Sequence, residues 1–188
     1  DEGILPTTQD AVKRLLTPNA QLIPYQLDLY ALQLTIPEKV FVSNVFTEKA
    51  IETWQKWYNI DFSALLDITQ KQASNISRNA YQLRDWSFLS EPILLSKINL
   101  STILSSAVES SHIVEMKEDG FLNGVLVYFS AQLSNSTELS LHPKDASKAN
   151  SWGNFIWIPK KTQWVKKGDK VEMNYLFKGA SVFDLKNL

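Results

Sequence analysis

The sequence predicts a mainly-β fold: an antiparallel barrel with a short N-terminal helix and an inserted helical arm. Three observations lead there. Segments with two-residue alternation recur at intervals of about 8–15 residues, with turn chemistry between them. One stretch, from Thr47 to Ile68, breaks that rhythm with helical spacing. The chain has 188 residues, 44% hydrophobic and 21% charged, which suits one good-sized core, and no cysteine supplies a disulfide or a thiolate zinc site.

Pro6-Thr7-Thr8 offers a helix start with a hydroxyl cap, and Ala11, Val12, Leu15 and Leu16 recur at helical spacing until Pro18-Asn19. From Leu22 the period becomes two, and the change to Leu32, Leu34 and Ile36 suggests a bulge near the strand's end, which Pro37-Glu38-Lys39 closes. Thr47 can cap a helix whose stripe is Ile51, Trp54 and Tyr58. Asp61 can cap a second short helix carrying Phe62, Leu65, Leu66 and Ile68, and residues 69–80 are polar with little to bury. Strands then resume at 92–98 and 112–116, and Asp119-Gly120 reads as a tight hairpin into the run 121–133. Further strands fall at 138–141, 152–158 and 171–177, with a turn at Lys167-Gly168-Asp169 before the last.

Several chemistries are excluded or disfavoured. Nineteen basic and twenty acidic residues leave a net charge of -1, which argues against non-specific binding to nucleic acid or anionic lipid. No apolar run approaches the ~20 residues that span a bilayer, and no signal peptide leads the chain, so no membrane association is expected. The two histidines offer no metal-ligand spacing: His112 reads as a satisfied structural residue and His142 as a solvated loop residue. No two glycines lie close enough for a phosphate-cradling loop, so neither a cofactor site nor a metal site is expected within these residues. Lys160, Lys161, Lys166, Lys167 and Lys170 read as a solubilising barrel rim. Trp152 and Trp157 have opposite parity on one strand, so they cannot both face the core, and Trp152 is the candidate functional aromatic. The chain opens Asp1-Glu2-Gly3 without an initiator methionine, which reads as a processed chain or a piece of a longer one.

The order of segments resembles the C-terminal part of protein arginine N-methyltransferases. The helix and Leu22-Ile23-Pro24 are similar to the junction between that family's cofactor domain and its barrel. Trp57-Tyr58-Asn59-Ile60-Asp61-Phe62-Ser63 resembles the aromatic stretch before its dimerisation arm, with Ile60 where glycine is frequent. Leu89-Ser90-Glu91-Pro92, Gly124 to Phe129, Ser140-Leu141-His142-Pro143, Asn150-Ser151-Trp152 and Lys166 to Asp169 follow in the family's order. Ser151 stands where the family carries a histidine and Asn150 where it carries a threonine; serine can hydrogen-bond but cannot carry positive charge.

The resemblance implies residues 1–20 as the end of a cofactor domain with its linker helix, and 21–188 as the barrel, with a dimerisation arm inserted at about 59–86. It implies that Glu2 is the second of two catalytic glutamates, and that Trp152 and Ser151 bind substrate. S-adenosylmethionine would belong to the parent enzyme, with none bound by this chain, which would not be catalytic alone. Implied partners are the parent's own cofactor-binding domain, a second copy through the arm, and a protein or peptide arginine; the setting would be cytoplasmic or nuclear. Two other readings stand beside it. One is a stand-alone barrel module gripping a glycan or peptide with exposed tryptophans. The other is a pure assembly domain.

Overall fold

The computed structural model describes residues 3–66, 74–145, 152–179 and 181–188. Its elements are α1 (Ile4–Arg14), β1 (Gln26–Thr35), α2 (Glu38–Asn44), α3 (Glu48–Tyr58), β2 (Ser74–Asn79), a 3-10 helix (Ala80–Leu83), β3 (Ser87–Phe88), β4 (Ile93–Asn99), β5 (Val108–Glu115), β6 (Gly120–Leu122), β7 (Gly124–Ser134), β8 (Thr137–Ser140), β9 (Gly153–Ile158), β10 (Gln163–Val165), β11 (Lys170–Phe177) and β12 (Ser181–Asn187).

All strand pairs among the described residues are antiparallel. The fold is mainly β, as the alternation predicts. The barrel wall, however, is not one continuous ladder. One sheet runs β2-β9-β7-β1-β3, with β4 also on β1 and β8 on β7; β10-β6 and β12-β11-β5 form two smaller sheets. Packing joins the three. Ala31, Leu122, Val125, Trp157, Val165, Met173 and Phe183, drawn from all of them, share one buried cluster.

β1 lies at the centre of this arrangement. Its odd face puts Ala31 into the shared core, and its even face puts Leu32 and Leu34 into a second cluster with Leu83, Leu126 and Ile156. Val40, Phe41 and Val45, in and after α2, cover that second cluster. The apolar run from Ala31 therefore reflects burial on two faces and not a bulge near the strand's end. The register shift of β1 lies at Leu29/Tyr30, against β4.

Gln33, fully buried on β1, is satisfied from two elements: its Nε2 donates to Met173 Sδ at 3.0 Å, and its Oε1 accepts from Ser90 Oγ. Such pairing is what makes a buried amide tolerable.

Several local expectations are corrected. α1 begins at Ile4, with Gly3 at φ 72 as its N-cap and no side-chain cap, earlier than the Thr7/Thr8 start. α2 follows Pro37 directly, so β1 is closed by a helix. Within residues 59–86, Ser74–Asn79 is a strand paired with Gly153–Ile158 and Ala80–Leu83 a 3-10 helix, and Ile76 and Ala80 are buried, where the polar run 69–80 was read as having little to bury. Asp119-Gly120 makes no hairpin, because β5 pairs with β11 and β6 with β10; Asp119 instead accepts the Lys167 N–H at 2.7 Å. The run 121–133 is broken at Asn123, and β12 adds a strand that the alternation had not marked.

Other expectations match. Thr47 Oγ1 accepts the Ala50 N–H and caps α3, and Asp61 accepts the Ser63 N–H at 2.8 Å. Ile68 lies outside the described residues.

Asn123 is more than a break. Its buried side chain accepts from the Ile36 N–H at 2.6 Å and donates to the Ile36 carbonyl, tying the end of β1 to the β6–β7 corner. Replacing Asn123 with Ala strands a buried amide, so Asn123→Ala should lower unfolding free energy by about 1–3 kcal/mol. Urea denaturation of both proteins measures this, and an unchanged midpoint would show that Asn123 is not a tie.

Candidate functional site

Trp152 directly precedes β9 and is 43% exposed, whereas Trp157 in the same segment is 7% exposed within the shared core. Parity does not decide this, because β9 is buried on both faces, with Ile156 and Ile158 of Trp152's own parity in the second cluster; Trp152 is exposed because it precedes the strand. Its ring rests on Phe129 of β7, with centroids 5.5 Å apart. Neighbouring residues of a strand face opposite ways, so Tyr128 projects from the other face of β7. There it stacks on Tyr30 at 5.2 Å and meets the His142 ring edge-on at 5.4 Å.

A short loop after β8 fixes this end of the sheet. The Leu141 N–H donates to the Phe129 carbonyl at 3.1 Å, and Asn154 Nδ2 donates to the Leu141 carbonyl at 2.8 Å. The His142 N–H donates to Ser140 Oγ and the Asp145 N–H to the His142 carbonyl. Asn154 had not stood out in the sequence. It is buried on β9, and its buried Oδ1 has no hydrogen-bond partner among the described residues.

α1 reaches the same region. Leu5 belongs to a cluster with Leu27, Leu100, Ile103 and Ala131, against which Phe129 also packs. Gln9 Nε2 holds the helix to the Leu104 carbonyl at 2.6 Å. The helix that follows Glu2 and the residue supporting Trp152 therefore share one packing unit. Glu2 and Ser151 themselves lie outside the described residues.

Burial, and then the neighbouring Tyr30, push the Tyr128 hydroxyl well above its ordinary range, so it stays protonated. His142 was expected to be solvated, yet its side chain is only 17% exposed. Burial holds it below the ordinary histidine value of 6.5, against the opposing pull of Asp145. Its Nδ1 accepts the Lys144 N–H at 3.3 Å, so that nitrogen carries no proton, and the 3.7 Å approach to Asp145 is not an ion pair at neutral pH. The Trp152 and Phe129 rings thus offer an aromatic surface suited to holding a flat cationic or apolar group, while Tyr128 and His142 lie on the other face of the sheet. His112 points inward on β5, but among the described residues its buried Nε2 has no hydrogen-bond partner, unlike the satisfied residue expected. Among the described residues no group of three or more His, Asp or Glu could hold a metal ion, and no helix is long and apolar enough to cross a membrane.

Comparison with known proteins places these features. Residues 38–182 match the family described as the arginine methyltransferase oligomerization subdomain. Over 136 residues the chain is 29% identical to protein arginine N-methyltransferase 2 of Xenopus tropicalis, covering 69% of this chain and 31% of that protein. The corresponding Xenopus laevis protein is 27% identical over the same length, covering 69% and 32%. The chain thus matches about a third of the length of these curated relatives. Among solved structures, the Trypanosoma brucei PRMT1 enzyme-prozyme heterotetrameric complex with AdoHcy has a similar fold, with a TM-score of 0.66 at 13% identity over 98% of this chain and 64% of that one.

The His142 environment has a measurable pH signature. A folded-state value below the unfolded one means that the native form binds fewer protons, so the contribution is intact above about 6.5 and is lost as pH falls from there through the lower folded-state value. Between pH 7.5 and 5, the wild type should lose more stability than His142→Gln, measured by denaturation at each pH. Equal losses would contradict the buried, neutral assignment.

Proposed function

Because this chain belongs to the arginine methyltransferase oligomerization-subdomain family, we propose that it is the substrate-binding barrel and dimerisation portion of an S-adenosylmethionine-dependent protein arginine N-methyltransferase. The observation that carries this reading is the exposed Trp152 ring on Phe129, at the end of the sheet where α1 packs.

In this reading residues 1–20 close a preceding cofactor domain, and 21–188 form the barrel. Support comes from apolar surface on and near α1: Leu15 is 69% exposed, Ile23 76% and Leu104 91%. A neighbouring domain would cover such a face. The dimerisation arm begins at about Asn59, beside the exposed Trp57, Tyr58 and Ile60. It would dock on a second copy, within a cytoplasmic or nuclear setting.

S-adenosylmethionine is assigned to the preceding domain, where it supplies the transferable methyl group. The residues here do not fit it. A Cβ on Gly120 would strike Leu89, one on Gly124 would strike Leu34 and Ile36, and one on Gly153 would strike Ser77, so these glycines serve the protein's own close packing. Gly3, Gly168 and Gly179 take positive φ in a helix cap and in turns.

This chain's own task is to hold the arginine. A guanidinium is a permanent planar cation with a fork of donors. Trp152 packs on its face, the Ser151 hydroxyl can hydrogen-bond to it, and the Glu2 carboxylate accepts two of its N–H bonds, fixing its orientation. Ser151 carries no charge, so in this reading orientation rests on the carboxylates.

In the polypeptide that carries the preceding domain, transfer of labelled methyl to an arginine peptide tests the assignment. Glu2→Gln should lower kcat by about 100-fold or more with the peptide KM little changed, since an orienting carboxylate acts on the reacting geometry. Trp152→Ala should mainly raise KM, by about ten-fold. Variants of both residues with unaltered kinetics would remove them from the site.

A further inference from the structure

The other end of β9 carries a separate feature. Trp152 and Pro159 are seven residues apart along an extended segment, about 20 Å by strand rise. At the far end, the wall between β10 and β12 is not closed by hydrogen bonds. β12 pairs only with β11 and β10 only with β6, so among the described residues their outer edges carry no backbone ladder.

A cleft of about 690 Å³ occupies this seam. Its lining includes Trp157 and Phe183, whose rings meet at 5.4 Å, and Gln163 at the start of β10. Lys160 and Lys161 also line it and are exposed. The lining carboxylate, Asp184, pairs with Lys186 at 3.3 Å and so contributes little free negative charge.

These features select one kind of occupant. Unpaired strand edges take an extended backbone, which adds as a further strand and projects alternate side chains to one face. Pro159 and Leu185, half-buried in the lining above the buried Trp157 and Phe183, take an apolar side chain. Two lysines beside a neutralised aspartate favour carboxylates and repel a guanidinium, so this is not a second seat for the arginine substrate. We propose that the β10–β12 seam is a docking groove for an acidic, extended segment of a partner protein. The segment pairs with β12, sets an apolar residue against Pro159 and Leu185, and places flanking carboxylates at Lys160 and Lys161. It closes the wall that the strands among the described residues leave open.

The test uses the full chain and a fluorescein-labelled peptide of about ten residues that alternates Glu with Val and Phe, a length one strand accommodates. Fluorescence anisotropy at low salt should give a Kd of about 100 µM or tighter, weakening as salt screens the lysines. The K160E/K161E double variant, altered only at exposed positions, should bind at least about ten-fold more weakly. Amide resonances of Val182, Phe183, Asp184 and Leu185 should shift on binding. The proposal is overturned if binding fails to saturate by about 1 mM, a concentration matching only about 4 kcal/mol. It is overturned equally if a peptide with Lys in place of Glu, or one with alternate backbone amides methylated, binds as tightly. Binding of phenylpropionate at the peptide's affinity would also overturn it, because it would mark a pocket for small carboxylates.

Discussion

Burial of β1 on both faces is the constraint that organises this molecule. A strand with one wet face would alternate, and its polar side would lie on the barrel exterior. Here the even face of β1 is covered by β2, the 3-10 helix and the segment of α2, while the odd face lines the shared core. A polar residue on this strand must therefore find partners inside, and Gln33 does so through Ser90 and Met173. The same constraint explains the close approach at Gly124, opposite Leu34, where a Cβ would meet core side chains. Through its ladder with β7, β1 also places Tyr30 beside Tyr128 and Leu29 beside Phe129, the positions from which the Trp152 rim is built.

Most of the mainly-β architecture was legible because its strands alternate and its one regular helical interruption is capped by Thr47. What was not legible depends on pairing between distant residues. In β2, Ser-Asn-Ile-Ser-Arg-Asn carries a single large apolar residue, and it is a strand because β9 lies beside it. Asp119-Gly120 has the composition of a hairpin turn, but the neighbours that β5 and β6 find are β11 and β10, and no local signal encodes that choice. α2 is too short for periodicity to mark. The rim was partly legible: the position of Trp152 just after a loop of small and polar residues marked it as the exposed tryptophan, although parity did not, since both faces of β9 are buried. The Phe129 support and the buried Asn154 acceptor emerge only when β7, β9 and the loop at 141–145 are brought together.

The two ends of β9 have contrasting chemistry. At its start, an exposed indole rests on Phe129 and presents an aromatic face that can take a cation. At its end, lysines surround an aromatic floor. The rim faces the region of α1, while the seam lies between strands that the hydrogen-bond network leaves unpaired. Family membership accounts for an oligomerization subdomain and for the fold, and the proposed division of labour follows from which groups each end presents.

The most direct measurement of the central claim is chemical-shift mapping of the indole N–H groups while an arginine-containing peptide is added to the polypeptide that includes the preceding domain. The account predicts that the Trp152 indole N–H moves furthest and that those of Trp157 and Trp164 stay in place. Movement confined to Trp157 or Trp164, or none at saturating peptide, would contradict the assignment of this rim to arginine binding.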